Sequence, residues 1–312
     1  MLRFATSRIL WFIPTLLAMV AVTFVIMTLT PGSPFDLANS NGINPETIKN
    51  LEHLYGLDKP IYERFGIYVW NSLHGDFGVS YQYRPQEVST IIGRTLPISL
   101  ELGLLATLFA VVFGLAFGIM AAINQNGWLD YLSVSTSILF YSMPNFVMGY
   151  LLILLFVVYL PRTGIDLGFQ VGGWDRPMDR VLPVVALGAA PLATLARYTR
   201  SSMIDIIRSD YVRTARAKGL SERKVVLKHV LKNALIPVIT LIGPIFAAVG
   251  TGSFFVENVF NIPGMGKFFV TSMQTKDQTM ILAVTLVYGV FLASMNLIVD
   301  ILYGVIDPRI RY

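Results

Sequence analysis

Residues 211–237 read YVRTARAKGLSERKVVLKHVLKNALIP, a basic stretch that lies between two apolar segments of the chain. Ten lysine and arginine residues fall between Arg197 and Lys232. Gly219 can end a helix because glycine adopts the left-handed conformation without strain, and Ser221 can cap the next helix. The stretch therefore predicts two short helices that meet at the glycine, outside the apolar part of a largely hydrophobic protein.

The composition of the 312-residue chain is typical of a membrane protein. Hydrophobic residues make up 54% of the chain and charged residues only 14%, with a mean hydropathy of +0.62. Soluble domains carry about 25% charged residues, so an ordinary soluble domain is excluded. The chain has no cysteine, which excludes disulfides, thiolate metal sites and cysteine nucleophiles.

Six apolar runs are candidates for membrane spans, since a helix that crosses a bilayer needs about 20 apolar residues. The fourth run is short and contains Pro183 and Pro191, which neighbouring helices can accommodate inside a bundle. The sequence predicts an all-α polytopic membrane protein in which residues 1–312 form one transmembrane domain. The six predicted transmembrane helices cover residues 9–30, 98–123, 132–160, 182–196, 235–256 and 280–305.

The positive charges predict the orientation of the chain, because lysine and arginine accumulate in cytoplasmic loops. With the N-terminus inside, the cytoplasmic segments hold 14 lysines and arginines, ten of them in the loop 197–233. The outer segments hold ten, spread over far more residues and accompanied by twelve acids. Both termini are therefore predicted to be cytoplasmic, and the net charge of +5 indicates membrane orientation rather than nucleic-acid binding.

The polar segment 31–96 between the first two spans is predicted to be an extracytoplasmic helical insertion. Asn44-Pro45 has the form of a helix start, and Lys59-Pro60 can open a second helix. The aromatic residues of this segment argue against disorder. The second helix would place four apolar residues on one face, namely Ile61, Phe65, Tyr68 and Val69.

Small residues and acids within the predicted spans have structural explanations. Gly114-x-x-x-Gly118 predicts close packing of two helices. Glu101 and Asp300 lie near span ends, where a charge costs less than at the middle of the membrane. We expect them to form structural hydrogen bonds, since a proton-driven transporter would carry more such acids and an internal repeat.

The two helices predicted around Gly219 have different surfaces. The second places four residues at helical spacing, namely Val225, Val226, His229 and Val230. With basic residues between them, this helix is typical of an amphipathic helix whose basic face lies on anionic lipid. The first helix carries three small residues, namely Thr214, Ala215 and Ala217. A groove of another protein could receive that surface, so these residues alone leave lipid contact and partner contact open.

No motif in the chain indicates catalysis. Residues 261–269, NIPGMGKFF, contain Gly266-Lys267 but lack the first glycine and the hydroxyl residue that a phosphate-binding loop needs. The three histidines are far apart in sequence and on opposite sides of the predicted membrane, which disfavours a shared metal site. Two alternatives are disfavoured. The chain has no recognisable nucleophile for a membrane-embedded enzyme, and it has no internal repeat of the kind expected of a secondary transporter.

The basic stretch resembles the cytoplasmic E-A-A-x-x-x-G loop of ATP-binding-cassette importer permeases. Aligned on Gly219, the E-A-A positions fall on Arg213, Thr214 and Ala215, and Lys232 stands where the general motif has proline. Both departures, and the run RTARAKGL, are typical of the peptide-importing branch. Further motifs extend the resemblance over the whole chain, in the order LTPGSPF, YGLDKP, HGDFGVS, LPISLEL, GSFFVENVFNIPGMGKFF and NLIVDILYGVIDPRIRY.

The resemblance implies the type I importer permease fold, with a short coupling helix that docks in a groove of an ATPase subunit. The residues that it assigns to this coupling are Arg213, Thr214, Ala215, Lys218, Gly219 and Leu220. It assigns no catalytic residue, metal site or cofactor to this chain, because ATP and magnesium would be bound by partner subunits.

The resemblance also implies the partners and the location. The partners would be a homologous C-type permease, two ATP-binding subunits and an extracytoplasmic peptide-binding protein, in the inner or plasma membrane of a bacterial cell. The outer segments 31–96, 161–181 and 257–278 would form the docking surface for the binding protein. The implied substrate is an oligopeptide or dipeptide, with glutathione or nickel as the alternative.

Overall fold

The computed structural model describes residues 2–32, 35, 45–54, 56–83, 85–250 and 252–306. These residues are helical apart from turns, loops and one isolated antiparallel bridge between Val79 and Glu87, which confirms the all-α prediction. The helices are α1 (Leu2–Leu29), α2 (Pro45–Leu54), α3 (Ile61–Leu73), α4 (Val88–Ile123), α5 (Trp128–Ser142), α6 (Asn145–Arg162), α7 (Pro177–Ile207), α8 (Asp210–Ala217), α9 (Glu222–Ala234), α10 (Ile236–Val249), α11 (Phe254–Val259), α12 (Met265–Thr275) and α13 (Gln278–Ile306).

Five helices of the described chain are long and apolar enough to cross a membrane, namely α1, α4, α6, α7 and α13. A sixth span results if α9 and α10 count as one, although the chain bends by 49° between them. Both α6 and α9 contain a π-helical turn, over Leu154–Tyr159 and Val225–Val230 respectively. The described chain thus has five or six candidate spans, against the six predicted from the sequence.

The prediction of one continuous span over 132–160 is wrong. The chain forms α5 up to Ser142, breaks at Met143, and resumes as α6 at Asn145. Met143 is extended, with φ −88° and ψ 129°, because the ring of Pro144 disfavours the helical conformation of the residue before it. Hydropathy does not register this break, since the residues on both sides of it are predominantly apolar.

Two other predicted spans differ from the observed helices in length. α7 is 31 residues long and reaches well beyond the predicted 182–196, with Pro183 and Pro191 inside it. α10 ends at Val249, short of the predicted end of 235–256. Gly252 and Ser253 are non-helical, and Gly252 has a φ of +75° that favours glycine.

The chain divides into two compact units, of which the first comprises residues 1–98 and 264–297. The predicted insertion helices are present, since α2 begins at Pro45 and α3 begins directly after Pro60. The residue predicted to cap α2, Asn44, lies outside the described residues. Phe65 of α3 packs edge-on against Phe24 of α1 with 5.3 Å between ring centroids, which attaches the insertion to the first span.

The second unit comprises residues 99–263 and 298–311. α4 and α7 approach closely at the two predicted glycines. A Cβ atom added at Gly114 would lie 2.9 Å from the carbonyl oxygen of Leu192, and one added at Gly118 would lie 2.6 Å from that of Ala196. The predicted packing role of this glycine pair is confirmed, because any side chain there would push the helices apart.

Candidate functional site

The segment predicted for coupling folds as a short helix, α8, that follows the end of α7. Ser209 is extended between the two helices, and its hydroxyl donates to the carbonyl of Ile206 at 2.6 Å. Asp210 supplies a negative charge to the first turn of α8, where the helix dipole favours it. The hydroxyl of Thr214 donates to the carbonyl of Asp210 at 2.9 Å, so it is satisfied within the helix.

The end of α8 is a Schellman motif centred on Gly219. The backbone N–H of Gly219 donates to Arg216 and that of Leu220 donates to Ala215, at 2.9 and 3.4 Å. Gly219 has a φ of +76°, which side chains disfavour, and a Cβ atom there would meet nothing within 4 Å. The predicted glycine stop is therefore present, and this glycine faces open space.

One side of α8 is buried in the second unit. Val212 is 0% exposed and Ala215 is 6% exposed, one helical turn apart. They pack in a hydrophobic cluster with residues of α4, α7 and α9, which are Ala122, Met203, Ile204, Val225, Val226, Val230 and Ala234. α8 is thus mounted on the same core that holds the C-terminal part of α7.

Five of the six residues predicted for coupling are exposed along one side and the end of α8, namely Arg213, Thr214, Lys218, Gly219 and Leu220. The sixth, Ala215, lies on the buried side, because α8 turns it toward the core together with Val212. Its side chain supports α8 from below and is not presented to a partner.

The second helix of the pair, α9, buries its apolar side in the protein. Val225 and Val230 are fully buried and Val226 nearly so, all of them within the cluster under α8. This apolar side is therefore covered by the chain itself and not by lipid. The basic side is exposed, and it comprises Arg223, Lys224, Lys228 and Lys232.

Polar contacts join α8 to α9 at both ends, and we call the pair the α8–α9 hairpin. At one end, the amide of Asn233 donates to the phenol oxygen of Tyr211 at 2.8 Å, and that phenol lies 3.4 Å from the carbonyl of His229. At the other end, Arg216 donates to Glu222 through Nε at 3.1 Å and Nη2 at 2.6 Å. Because of this pair, the pKa of the Glu222 carboxyl is lowered.

Sequence reasoning did not identify these four contact residues of the hairpin. The spacing from Arg216 to Glu222 spans a turn, so it matches neither of the helical spacings at which ion pairs are sought. The signal available in the sequence was a basic residue, Arg216, before Gly219 and an acidic residue, Glu222, directly after the capping Ser221. Tyr211 and Asn233 gave no local signal, because they meet only once both helices have formed.

The base of the hairpin is fixed to α7, which is paired in turn with α5. Ser202 of α7 donates to the carbonyl of Ala234 at 2.8 Å, at the end of α9. Two residues before Ser202, Arg200 forms a bidentate pair with Asp130 of α5, at 2.5 and 2.7 Å. The carboxyl of Asp130 is buried, and it also caps the preceding turn by accepting from the backbone of Asn126 at 2.9 Å.

Glu101, one of the two acids within predicted spans, forms the structural contacts that were expected of it. It accepts hydrogen bonds at 2.7 Å from the indole of Trp174 and from the guanidinium of Arg180, which also stacks over that indole. Glu101 therefore ties α4 to the start of α7. Among the described residues, no group of three or more histidine or acidic side chains is placed to hold a metal ion.

A second polar cluster lies in the first unit where α13 begins, and we call it the Asp277–Gln278 node. Asp277 is fully buried, and its Oδ2 accepts from the Ser80 hydroxyl at 2.5 Å and from the Gln82 backbone at 3.2 Å. Its Oδ1 accepts from the backbone of Met280 at 3.2 Å, which caps α13. One carboxylate thus joins the start of the last span to the insertion.

Gln278 extends the node to two more elements. Its side-chain oxygen accepts from Arg64 of α3 at 2.5 Å, and its amide donates to Thr28 of α1 at 3.1 Å. A cavity of about 450 Å³ lies beside it, with a lining that includes Phe24, Lys59, Arg64, Tyr68 and Phe77. The insertion is therefore hydrogen-bonded to α13, and α13 is hydrogen-bonded in turn to α1.

Similarity to known protein families shows what kind of protein this chain is. Residues 114–312 match the family described as "Binding-protein-dependent transport system inner membrane component", and residues 1–103 match the N-terminal family of the same transport components. The chain belongs to this family of permeases. It is therefore a multi-pass inner-membrane component of an ATP-binding-cassette importer, and it is non-catalytic, since separate subunits of such systems hydrolyse ATP.

Similar proteins match this permease over its whole length. The oligopeptide transport system permease protein OppB of Haemophilus influenzae is 42% identical, with 100% of both chains covered. The dipeptide transport system permease protein DppB of Bacillus subtilis is 42% identical, covering 100% of this chain and 98% of the relative. OppB of Escherichia coli is 38% identical, again over 100% of both chains.

Solved structures confirm the importer permease fold. A chain of an amino acid ABC transporter aligns with a TM-score of 0.51 at 17% identity, covering 69% of this permease and 93% of that chain. A chain of the MetNI methionine ABC transporter in an inward-facing conformation aligns with a TM-score of 0.50 at 18% identity, covering 70% and 96%.

Proposed function

We propose that this permease forms half of the translocation pathway of an ATP-driven importer of oligopeptides or dipeptides. The observation that carries the proposal is the end-to-end similarity, at 42% identity, to two permeases named for oligopeptide and dipeptide transport. Glutathione or nickel is the alternative substrate for permeases of this type. A homologous C-type permease would supply the other half of the pathway.

The α8–α9 hairpin is the proposed joint with an ATPase subunit. Five exposed residues of α8 and its cap would enter the groove of that subunit, namely Arg213, Thr214, Lys218, Gly219 and Leu220. Two ATP-binding subunits would bind ATP and magnesium and would push on α8 as they close, so that the spans change their arrangement as rigid bodies.

The proposed orientation puts both termini and the hairpin in the cytoplasm, as supported by the ten lysines and arginines between Arg197 and Lys232. On the other side, an extracytoplasmic peptide-binding protein would dock on the insertion 31–96 and on the loops 161–181 and 257–278. Replacing several exposed residues of these segments should weaken binding-protein association in a pull-down assay, and unchanged association would count against this surface.

Replacement of Gly219 tests the joint. Gly219→Phe places a bulky side chain in the open space that an ATPase would occupy, whereas Gly219→Ala imposes similar backbone strain without the bulk. In proteoliposomes containing the full transporter, Gly219→Phe should abolish peptide import with the permease still inserted, and Gly219→Ala should retain most of it. Equal import by both variants and the unmodified protein would contradict the assignment.

Competition measures the substrate class. Import of a labelled tripeptide should be inhibited by unlabelled peptides of graded length, and the length that competes best separates a dipeptide system from an oligopeptide system. Inhibition by glutathione or Ni²⁺ alone would replace the peptide proposal with the alternative.

A further inference from the structure

The exposed ion pair between Arg216 and Glu222 crosses the turn that separates α8 from α9. It is bidentate, with Nε to Oε2 at 3.1 Å and Nη2 to Oε1 at 2.6 Å. A bidentate pair fixes direction as well as distance, because the planar guanidinium and carboxylate must face each other. The pair therefore sets the angle at which the end of α8 meets the start of α9.

The size of this interaction excludes a main role in stability. The side chains are 38% and 61% exposed for Arg216 and Glu222, and a pair this exposed adds little to stability. The hydrophobic cluster of seven further residues under α8 supplies far more. The pair is thus a weak stabiliser in a position where it controls geometry.

α8 needs such a constraint at its end. It has eight residues, fewer than the ~12–15 that an isolated helix needs to persist in water. Its buried side presents only Val212 and Ala215, both in its first six residues. Tyr211 is held near the start of α8 by Asn233, whereas the last turn has the Arg216–Glu222 pair and the glycine cap.

A continuous set of contacts leads from this pair to a membrane span. α9 starts at Glu222, and its Val225 is buried in the same hydrophobic cluster as Met203 of α7. At its other end, the carbonyl of Ala234 accepts a hydrogen bond from Ser202 of α7 at 2.8 Å. A force that a partner subunit applies to the last turn of α8 can thus be transmitted through α9 to α7, provided that the angle between α8 and α9 is fixed.

We propose that Arg216 and Glu222 are positioning residues that lock this angle, so that movement of an ATPase subunit is transmitted through α9 to α7. The inference rests on the proposed function of α8 as the joint with that subunit. Loss of the pair should leave the permease folded and inserted, but part of each ATPase stroke would bend the turn at Gly219 instead of moving α7.

The transport test uses the complete importer in proteoliposomes and measures ATP hydrolysed per peptide imported. Glu222→Gln and Arg216→Gln should each raise this ratio about two- to fivefold, the change that corresponds to the ~0.5–1 kcal/mol of an exposed pair. The double exchange Arg216→Glu with Glu222→Arg should restore it. Asp210→Asn is the matched control, since the Asp210–Arg213 pair lies within α8 and braces no turn.

A structural readout separates positioning from direct contact with the partner. The chain has no cysteine, so spin labels at Asp210→Cys and Lys224→Cys in a complex with cysteine-free partner subunits report only the hairpin. The distance distribution should broaden in Glu222→Gln and narrow again in the double exchange. Failure of the double exchange to restore both measurements would show that each side chain acts alone, and would overturn the proposal.

The Gly219 variants distinguish failure of the positioning role of Arg216 and Glu222 from failure of the proposed function of α8. If Gly219→Phe uncouples transport but Glu222→Gln leaves the ATP-to-peptide ratio and the distance distribution unchanged, the positioning role is refuted and the joint at α8 stands. If Gly219→Phe has no effect either, the proposed function of α8 fails.

Discussion

The Asp277–Gln278 node and the α8–α9 hairpin both hold helical elements together through polar contacts, but they differ in burial. Asp277 is 0% exposed and carries four or more hydrogen bonds, whereas Glu222 is 61% exposed and contacts one partner. A buried carboxylate is expensive to leave unpaired, and an exposed pair costs little to break. The node should therefore govern stability of the first unit, and the hairpin should govern coupling.

The largest effect is expected from Asp277→Ala. It leaves the buried hydroxyl of Ser80 without its acceptor and removes the cap of α13, which together should cost about 2–4 kcal/mol. Thermal unfolding of the detergent-purified transporter measures this. Asp76→Ala is the control, since Asp76 makes one exposed contact, to the backbone of Gly78. An equal loss of stability in Asp277→Ala and Asp76→Ala would refute the inference that burial makes the Asp277 contacts the stabilising ones.

The hydrophobic support of the hairpin gives the next effect. Val212→Ala removes two methyl groups from a side chain that is 0% exposed and should destabilise the protein by about 2 kcal/mol. Leu227→Ala on α9 is the control, because that side chain is 55% exposed and should cost far less in the same unfolding measurement. A stable Val212→Ala protein would mean that α8 is not seated as the cluster indicates.

A smaller effect is expected from Asn233→Ala, which removes the hydrogen bond that the Asn233 amide donates to Tyr211 at the other end of the hairpin. Because the contact is exposed, unfolding should shift by less than ~1 kcal/mol. The ATP-to-peptide ratio should rise less than in Glu222→Gln, since the adjacent Val212 still holds the start of α8. If the ATP-to-peptide ratio rose more in Asn233→Ala than in Glu222→Gln, the contact that controls coupling would be Tyr211–Asn233 and not Arg216–Glu222.

The smallest effect in the physiological range is that of pH. The hydrogen bond from Arg216 lowers the pKa of the Glu222 carboxyl below its ordinary value of 4.5. A lowered pKa in the folded protein means that the contribution of the pair is complete above the ordinary value and is lost as pH falls through the lowered one. The spin-label distances should therefore be constant from about pH 6 to 8 and should broaden only below 4.5.

Much of the fold was predictable from local chemistry. The helical class, the close approach at Gly114 and Gly118, and the helix end at Gly219 all follow from single residue types in a defined setting. The break at Pro144 was equally local, but a span prediction that counts apolar residues does not consider how a proline restricts the residue before it.

The contacts that hold the α8–α9 hairpin in place were less predictable from the sequence. They depend on which side of a short helix is buried and on residues that meet across a turn. In eight residues, α8 offers too few positions to fix which side is buried, so Ala215 was assigned to the partner surface and lies in the core. The node joins Ser80 to Asp277, 197 residues apart, and no local pattern announces such a contact.

The sequence distance of these contacts has a consequence for biogenesis. Every polar contact within the hairpin spans at most 22 residues, so it can form soon after residue 233 leaves the ribosome. The node must wait for Asp277, and at ~5–20 residues per second the 197 residues after Ser80 take about 10–40 s to synthesise. During that interval, while most of the second unit is being synthesised, the insertion lacks its anchor on α13.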